Sequence, residues 1–152
     1  HPRPEFTFQV AAGADHVVMY TRDDFQAEVM RITDGAGVQV AYDSVGLTTF
    51  DQSLKSLAVR GYLVLFGQSS GPVPPIAPQV LNQGSNFLRR PSLPHYTATR
   101  DELLSRAGDV LGWIASGRLK LRIHERFPLA EAADAHRALE SRATSGKLLL
   151  IP

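Results

Sequence analysis

Two short stretches of this 152-residue chain have residue types suited to holding a ligand close to the backbone. One is Phe66-Gly67-Gln68-Ser69-Ser70-Gly71, which follows the apolar run Leu63-Val64-Leu65. The other is Tyr42-Asp43-Ser44-Val45-Gly46, which follows Val38-Gln39-Val40-Ala41. Glycine lets a flat molecule approach the main chain, and serine offers a hydroxyl and an amide without bulk. Neither stretch offers a thiol, histidine or lysine, so the chemistry they suit is presentation of main chain to a ligand that carries its own reactivity. Small residues also serve simply to make tight strand–helix turns, and spacing alone does not decide between the two readings.

The remaining reactive side chains have structural readings. His1, His16, His95, His124 and His136 include no i, i+4 pair and none stands beside a cluster of carboxylates. Asp23, Asp24 and Glu102 stand where helix caps are expected. Arg89-Arg90 can bind an anion or simply solvate an edge strand. Arg142, at the end of a helix, suits the macrodipole with no ligand at all. Thr144-Ser145-Gly146-Lys147 lacks the leading glycine and preceding strand of a phosphate loop.

Period and punctuation position these residues on alternating strands and helices. A short helix is expected through residues 4–13, a strand over 14–20, a helix over 24–33 and a strand with its exit loop over 38–46. A helix over 47–59, stopped by Arg60-Gly61, then leads into the strand 62–67. Four prolines in 71–80 demand an extended or turning connection. In a strand at 86–93, Pro91 confines the later part to a sheet edge or a strand exit. Thr99 caps a helix reaching Ser116, followed by a strand at 119–127, a helix at 129–142 and a last strand from 147. Such alternation predicts an α/β fold with a parallel sheet, whose ligands bind outside the carboxyl ends of the strands.

Lys and Arg total 16 against 15 acidic residues, which gives no electrostatic case for nucleic acid or membrane surfaces. No cysteine is present, which excludes disulfides and thiolate zinc ligands. The apolar runs fall short of a membrane span, and residues 1–10 do not read as a secretion signal, so a cytoplasmic protein is expected.

Taken together, GADHVVMY, GVQVAYDSVG, GYLVLFGQSSGPVPP, RRPSLPHYTATRDEL and SGKLLLIP resemble the zeta-crystallin-like NADPH:quinone oxidoreductases, a zinc-free branch of the medium-chain dehydrogenase/reductase superfamily. The likeness runs from about residue 12 to Pro152. It implies a partial Rossmann domain over 1–118 and, over 119–152, a strand–helix–strand segment that returns to a GroES-like catalytic domain. It implies NADPH as cofactor and hydride transfer to a quinone or activated alkene. By motif, Tyr20 and Ser44 fall near the adenosine. Phe66, Gly67, Gln68, Ser69 and Ser70 flank the nicotinamide and its ribose. Leu88, Arg89 and Arg90 approach the carboxamide through main chain, and Arg142 reaches the cofactor from the last segment. The edge strand near 86–93 is expected to pair two copies in a homodimer.

The family's glycine-rich phosphate loop, its first two Rossmann strands and its catalytic domain have no counterpart in these residues. With His1 as first residue, the expectation is a piece of a longer enzyme, inactive by itself. Residues 14–20 would then lie about 10 Å from the strand at 38–43, across two absent strands. A non-catalytic nucleotide-binding or dimerisation module on a half-Rossmann scaffold is the alternative.

Overall fold

The strand that leads into Gly67 is the middle of a three-stranded parallel sheet in the computed structural model, which describes residues 7–141 and 143–152. The chain divides into two compact units after Tyr96. In the first, α1 (Thr7–Ala11) and α2 (Phe25–Ile32) precede β1 (Val38–Asp43), α3 (Phe50–Lys55), β2 (Leu57–Leu65) and β3 (Phe87–Arg89). The sheet order is β1-β2-β3, so each crossover returns the chain to the neighbouring strand in the same direction.

The alternation of side chains puts one face of this sheet into a core. Leu63 is 0% exposed and Leu65, Phe50 and Leu54 are buried with it, so α3 covers that face. Val73, Ile76, Val80 and Leu81, from the proline-rich connection and the 3₁₀ turn Pro78–Gln83, close the cluster beside Leu88. The opposite face carries Val40, Tyr62 and Phe87 at paired positions, all exposed. The rings of Tyr62 and Phe87 stack with centroids 4.5 Å apart.

The second unit holds α4 (Arg100–Ala115), β4 (Ile123–Pro128), α5 (Ala132–Glu140) and β5 (Lys147–Ile151), with β4 and β5 paired in parallel. Helix α4 begins as its sequence predicts. The Thr99 hydroxyl accepts from the Glu102 N–H, and the Glu102 carboxylate accepts from the Thr99 N–H, satisfying donors the helix leaves open. Thr99→Ala is expected to cost about 1 kcal/mol. A thermal melt followed by Trp113 fluorescence reads this directly, because Trp113 lies on α4.

Four expectations change, and one is the strand expected over 86–93, which spans only Phe87–Arg89 and ends before Pro91. Residues 14–20 form no strand, because a strand needs a ladder partner for its backbone groups and β1 pairs only with β2 among the described residues. The helix expected over 47–59 spans only Phe50–Lys55, and Leu57 already belongs to β2. The misread stop at Arg60-Gly61 is a bulge inside β2: Val38 pairs with Leu57 but Val40 pairs with Tyr62. Arg60 takes a left-handed conformation there, φ 62°, and its N–H donates to the Gly84 carbonyl at 2.6 Å. The strand expected over 119–127 starts only at Ile123.

Candidate functional site

The loops leaving β1 and β2 are built as one unit, and a buried carboxylate anchors the first. Asp43, the last residue of β1, is 5% exposed. Its Oδ1 accepts from the N–H groups of Val45 at 2.8 Å and Gly46 at 2.9 Å. Its Oδ2 accepts from the hydroxyls of Thr49 at 2.8 Å and Ser53 at 2.9 Å. Burial pushes the Asp43 carboxyl up, but the hydrogen bonds from Gly46, Thr49, Val45 and Ser53 outweigh it and hold the group below its ordinary value of 3.8. A carboxylate so fully committed works as a fixed acceptor that shapes the loop.

The second loop is laid against the first by main-chain bonds. The Phe66 N–H donates to the Asp43 carbonyl at 2.9 Å, Ser69 N–H to the Ser44 carbonyl at 3.2 Å, and Ser70 N–H to the Val45 carbonyl at 2.9 Å. The Ser70 hydroxyl donates to that same Val45 carbonyl at 2.7 Å and accepts from the Thr48 N–H at 3.1 Å. Gly67 makes this approach possible. A Cβ on it would stand 2.5 Å from the Ser44 carbonyl oxygen and 2.9 Å from the Ser44 Cα. Gly46, at φ 87°, sits in the left-handed region that favours glycine, and a Cβ there would meet Gly71 and Gln68.

Two cavities flank the paired loops. One, of 270 Å³, is lined by Val18, Tyr20, Phe25 and Val29 on one side and by Tyr42 to Val45 with Thr49 and Ser53 on the other. It brings together Tyr20 and Ser44, both exposed. A second, also 270 Å³, is lined by Gln68, Leu65, Phe50, the stretch Val73 to Ile76, Leu88 and Arg90. It brings Gln68 together with Leu88 and Arg90. Phe66 and Ser69 are exposed on the loop between, and Ser70 is half-buried in the bonds just described. Arg89 donates to the Tyr96 hydroxyl at 2.8 Å. Arg142 lies outside the described residues.

Sequence reasoning missed Asp43 as the organiser. The signal is readable afterwards: an Asp at a strand end invites an Asx-type turn, and Thr49 and Ser53 stand four apart on one helical face. The spacing of 6 and 10 residues between Asp43 and these hydroxyls has no meaning until α3 folds back over β1.

A parallel sheet with glycine-bearing loops joined at its carboxyl ends is the framework of doubly wound α/β nucleotide-binding domains. The chain belongs to the zinc-binding dehydrogenase family, whose model matches residues 12–150. It is 45% identical over 144 residues to quinone oxidoreductase 1 of Escherichia coli K12, across 93% of this chain and 44% of that protein. It is 37% identical over 142 residues to a 2-haloacrylate reductase of a Burkholderia species, across 92% and 43%. Among solved structures, mycobacterial Rv1454c complexed with NADPH superposes with a TM-score of 0.90 at 47% identity, covering 100% of this chain and 47% of that one. Escherichia coli quinone oxidoreductase complexed with NADPH gives 0.87 at 44% identity, covering 94% and 45%. The chain thus spans less than half the length of these relatives.

The family description names zinc, and the residues present do not fit it. The sequence has no cysteine, and among the described residues no three His, Asp or Glu side chains gather where a metal ion could sit.

Proposed function

We propose that this chain supplies the cofactor cleft of an NADPH-linked oxidoreductase that passes hydride to a quinone or an activated alkene. The observation that carries this reading is the pairing of loops 43–46 and 66–71, which offers main chain and small side chains where a dinucleotide would lie. The NADPH-bound relatives support it. Tyr20 and Ser44 take the adenosine end, and residues 66 to 70 flank the nicotinamide and ribose. Leu88, Arg89 and Arg90 meet the carboxamide through main chain. The division of roles follows residues 1–118 for cofactor binding and 119–152 for the returning segment. The hydride belongs to NADPH, so the protein's part is orientation and exclusion of water. With NADPH bound, the hydride it would supply, together with a proton from solvent, would convert a quinone to a hydroquinone. Two copies pair through the edge strand near 86–93.

No glycine-rich G-x-G-x-x-G loop occurs in the sequence, and that loop ordinarily holds the pyrophosphate at a helix N-terminus. The 152-residue chain by itself is therefore expected to bind NADPH only at millimolar concentration and to reduce no quinone. Calorimetric titration with NADPH, and with NADH for comparison, tests this. Millimolar binding that improves when the remainder of the enzyme is supplied in trans supports the reading. Micromolar binding by the chain alone, with preference for NADPH, would mean a self-sufficient nucleotide-binding module instead.

A further inference from the structure

Strand β3 and the 3₁₀ turn Leu93–Tyr96 fold around a cavity of 540 Å³ whose lining includes Arg89, Arg90, Ser92, His95 and Tyr96 and no carboxylate. The Arg89 guanidinium is fixed by its bond to the Tyr96 hydroxyl at 2.8 Å. Arg90 is tied through Nη1 to the Leu65 carbonyl at 3.2 Å. Each guanidinium has five N–H donors, so most of this donor capacity remains for a ligand. Neither arginine is paired with a carboxylate among the described residues.

We propose that this cavity is a binding seat for a small carboxylate. A guanidinium fork matches the two oxygens of a planar carboxylate, and the Ser92 hydroxyl and His95 ring add donors at the rim. The backbone N–H of His95 is spent on the Ser92 carbonyl at 3.0 Å. That backbone amide is therefore not offered to an anion, and the donors named here are side chains, whose planar guanidinium geometry suits a planar carboxylate. Leu88 and Arg90 line both this seat and the cavity beside Gln68, so the seated anion adjoins the loop that follows β2. That the carboxylate is part of the hydride acceptor rests on the function proposed above; the anion seat itself does not.

The test is a titration of the 15N-labelled 152-residue chain with acrylate at constant ionic strength, read at the arginine Nε–H resonances, with inorganic phosphate as a parallel series. Saturable acrylate shifts at Arg89 and Arg90 are expected, with affinity lowered about tenfold or more in Arg89→Ala and less in Tyr96→Phe, which keeps the fork but frees its orientation. Shifts that stay linear, or an Arg89→Ala response equal to that of the parent chain, overturn the seat. Tighter binding of phosphate at the same arginines overturns its assignment to a carboxylate. No NADPH is present, so the seat and the cofactor reading fail independently.

Discussion

Asp43→Ala is expected to destabilise the first unit by roughly 3 kcal/mol or more, since four neutral donors lose a charged acceptor and each one left unsatisfied costs about 1–3 kcal/mol. The substitution leaves the N–H groups of Val45 and Gly46 and the hydroxyls of Thr49 and Ser53 without their charged acceptor. Domains of this size have only about 5–15 kcal/mol to lose, so the variant sits near the edge of folding. Asp43→Asn keeps the volume and one acceptor oxygen but turns a donor toward two hydroxyls; about 1–3 kcal/mol is expected. Urea unfolding followed by circular dichroism measures both, and hydrogen exchange at the Leu63 amide reports the same loss locally. A shift within 0.5 kcal/mol of the parent for the alanine variant, on the scale of an ordinary surface change, would mean the network does not hold the loop.

The same carboxylate sets a pH dependence. Its folded-state pKa lies below the ordinary 3.8, so the unfolded chain takes up the proton more readily. The stabilisation is complete at pH values above 3.8 and is lost as pH falls from there through the folded-state value. Asp43→Asn is expected to flatten that acid limb while leaving the slope near neutrality unchanged.

How much of this was legible beforehand depended on whether the determinant was local. Helix α4 was readable because its cap, Glu102 and stop at Gly117 all lie within its own sequence. The two glycine-serine loops were readable as strand ends for the same reason. The boundary between α3 and β2 was not. Leu57 fits the helical face of Phe50 and Leu54, yet pairing with Val38 outweighs that periodicity, and the bulge at Arg60 exists only because β1 is alongside. Residues 14–20 show the converse: Val17, Val18 and Met19 have strand character, but strand character without a neighbour forms no ladder. The site residues divide in the same manner. Composition marked the two loops, whereas the bonds that join them at Ser44, Val45, Ser69 and Ser70 bridge some 25 residues of sequence.

That junction makes Gly67 the residue on which the proposed cleft depends most. In Gly67→Ala the added methyl meets backbone at 2.5 and 2.9 Å, and no side-chain rotation relieves a clash with the Ser44 main chain. The loops have to separate, which stretches the Ser69–Ser44 and Ser70–Val45 bonds that set their spacing. A cost of about 1–3 kcal/mol in stability is expected from overpacking alone. A loss of NADPH affinity is expected as well, because the separated loops no longer hold their main chain at the spacing the cofactor would meet. Gln68→Ala is the matched control for stability alone. Gln68 is exposed and contributes its carbonyl to the turn, so stability should stay within about 0.5 kcal/mol. Unfolding midpoints and NADPH titrations, both with the remainder of the enzyme supplied, separate the two effects. Unchanged cofactor affinity in Gly67→Ala, alongside the expected loss of stability, would mean that loop 66–71 supports the sheet without touching the nucleotide. The cleft would then have to lie along the Tyr20–Ser44 cavity alone.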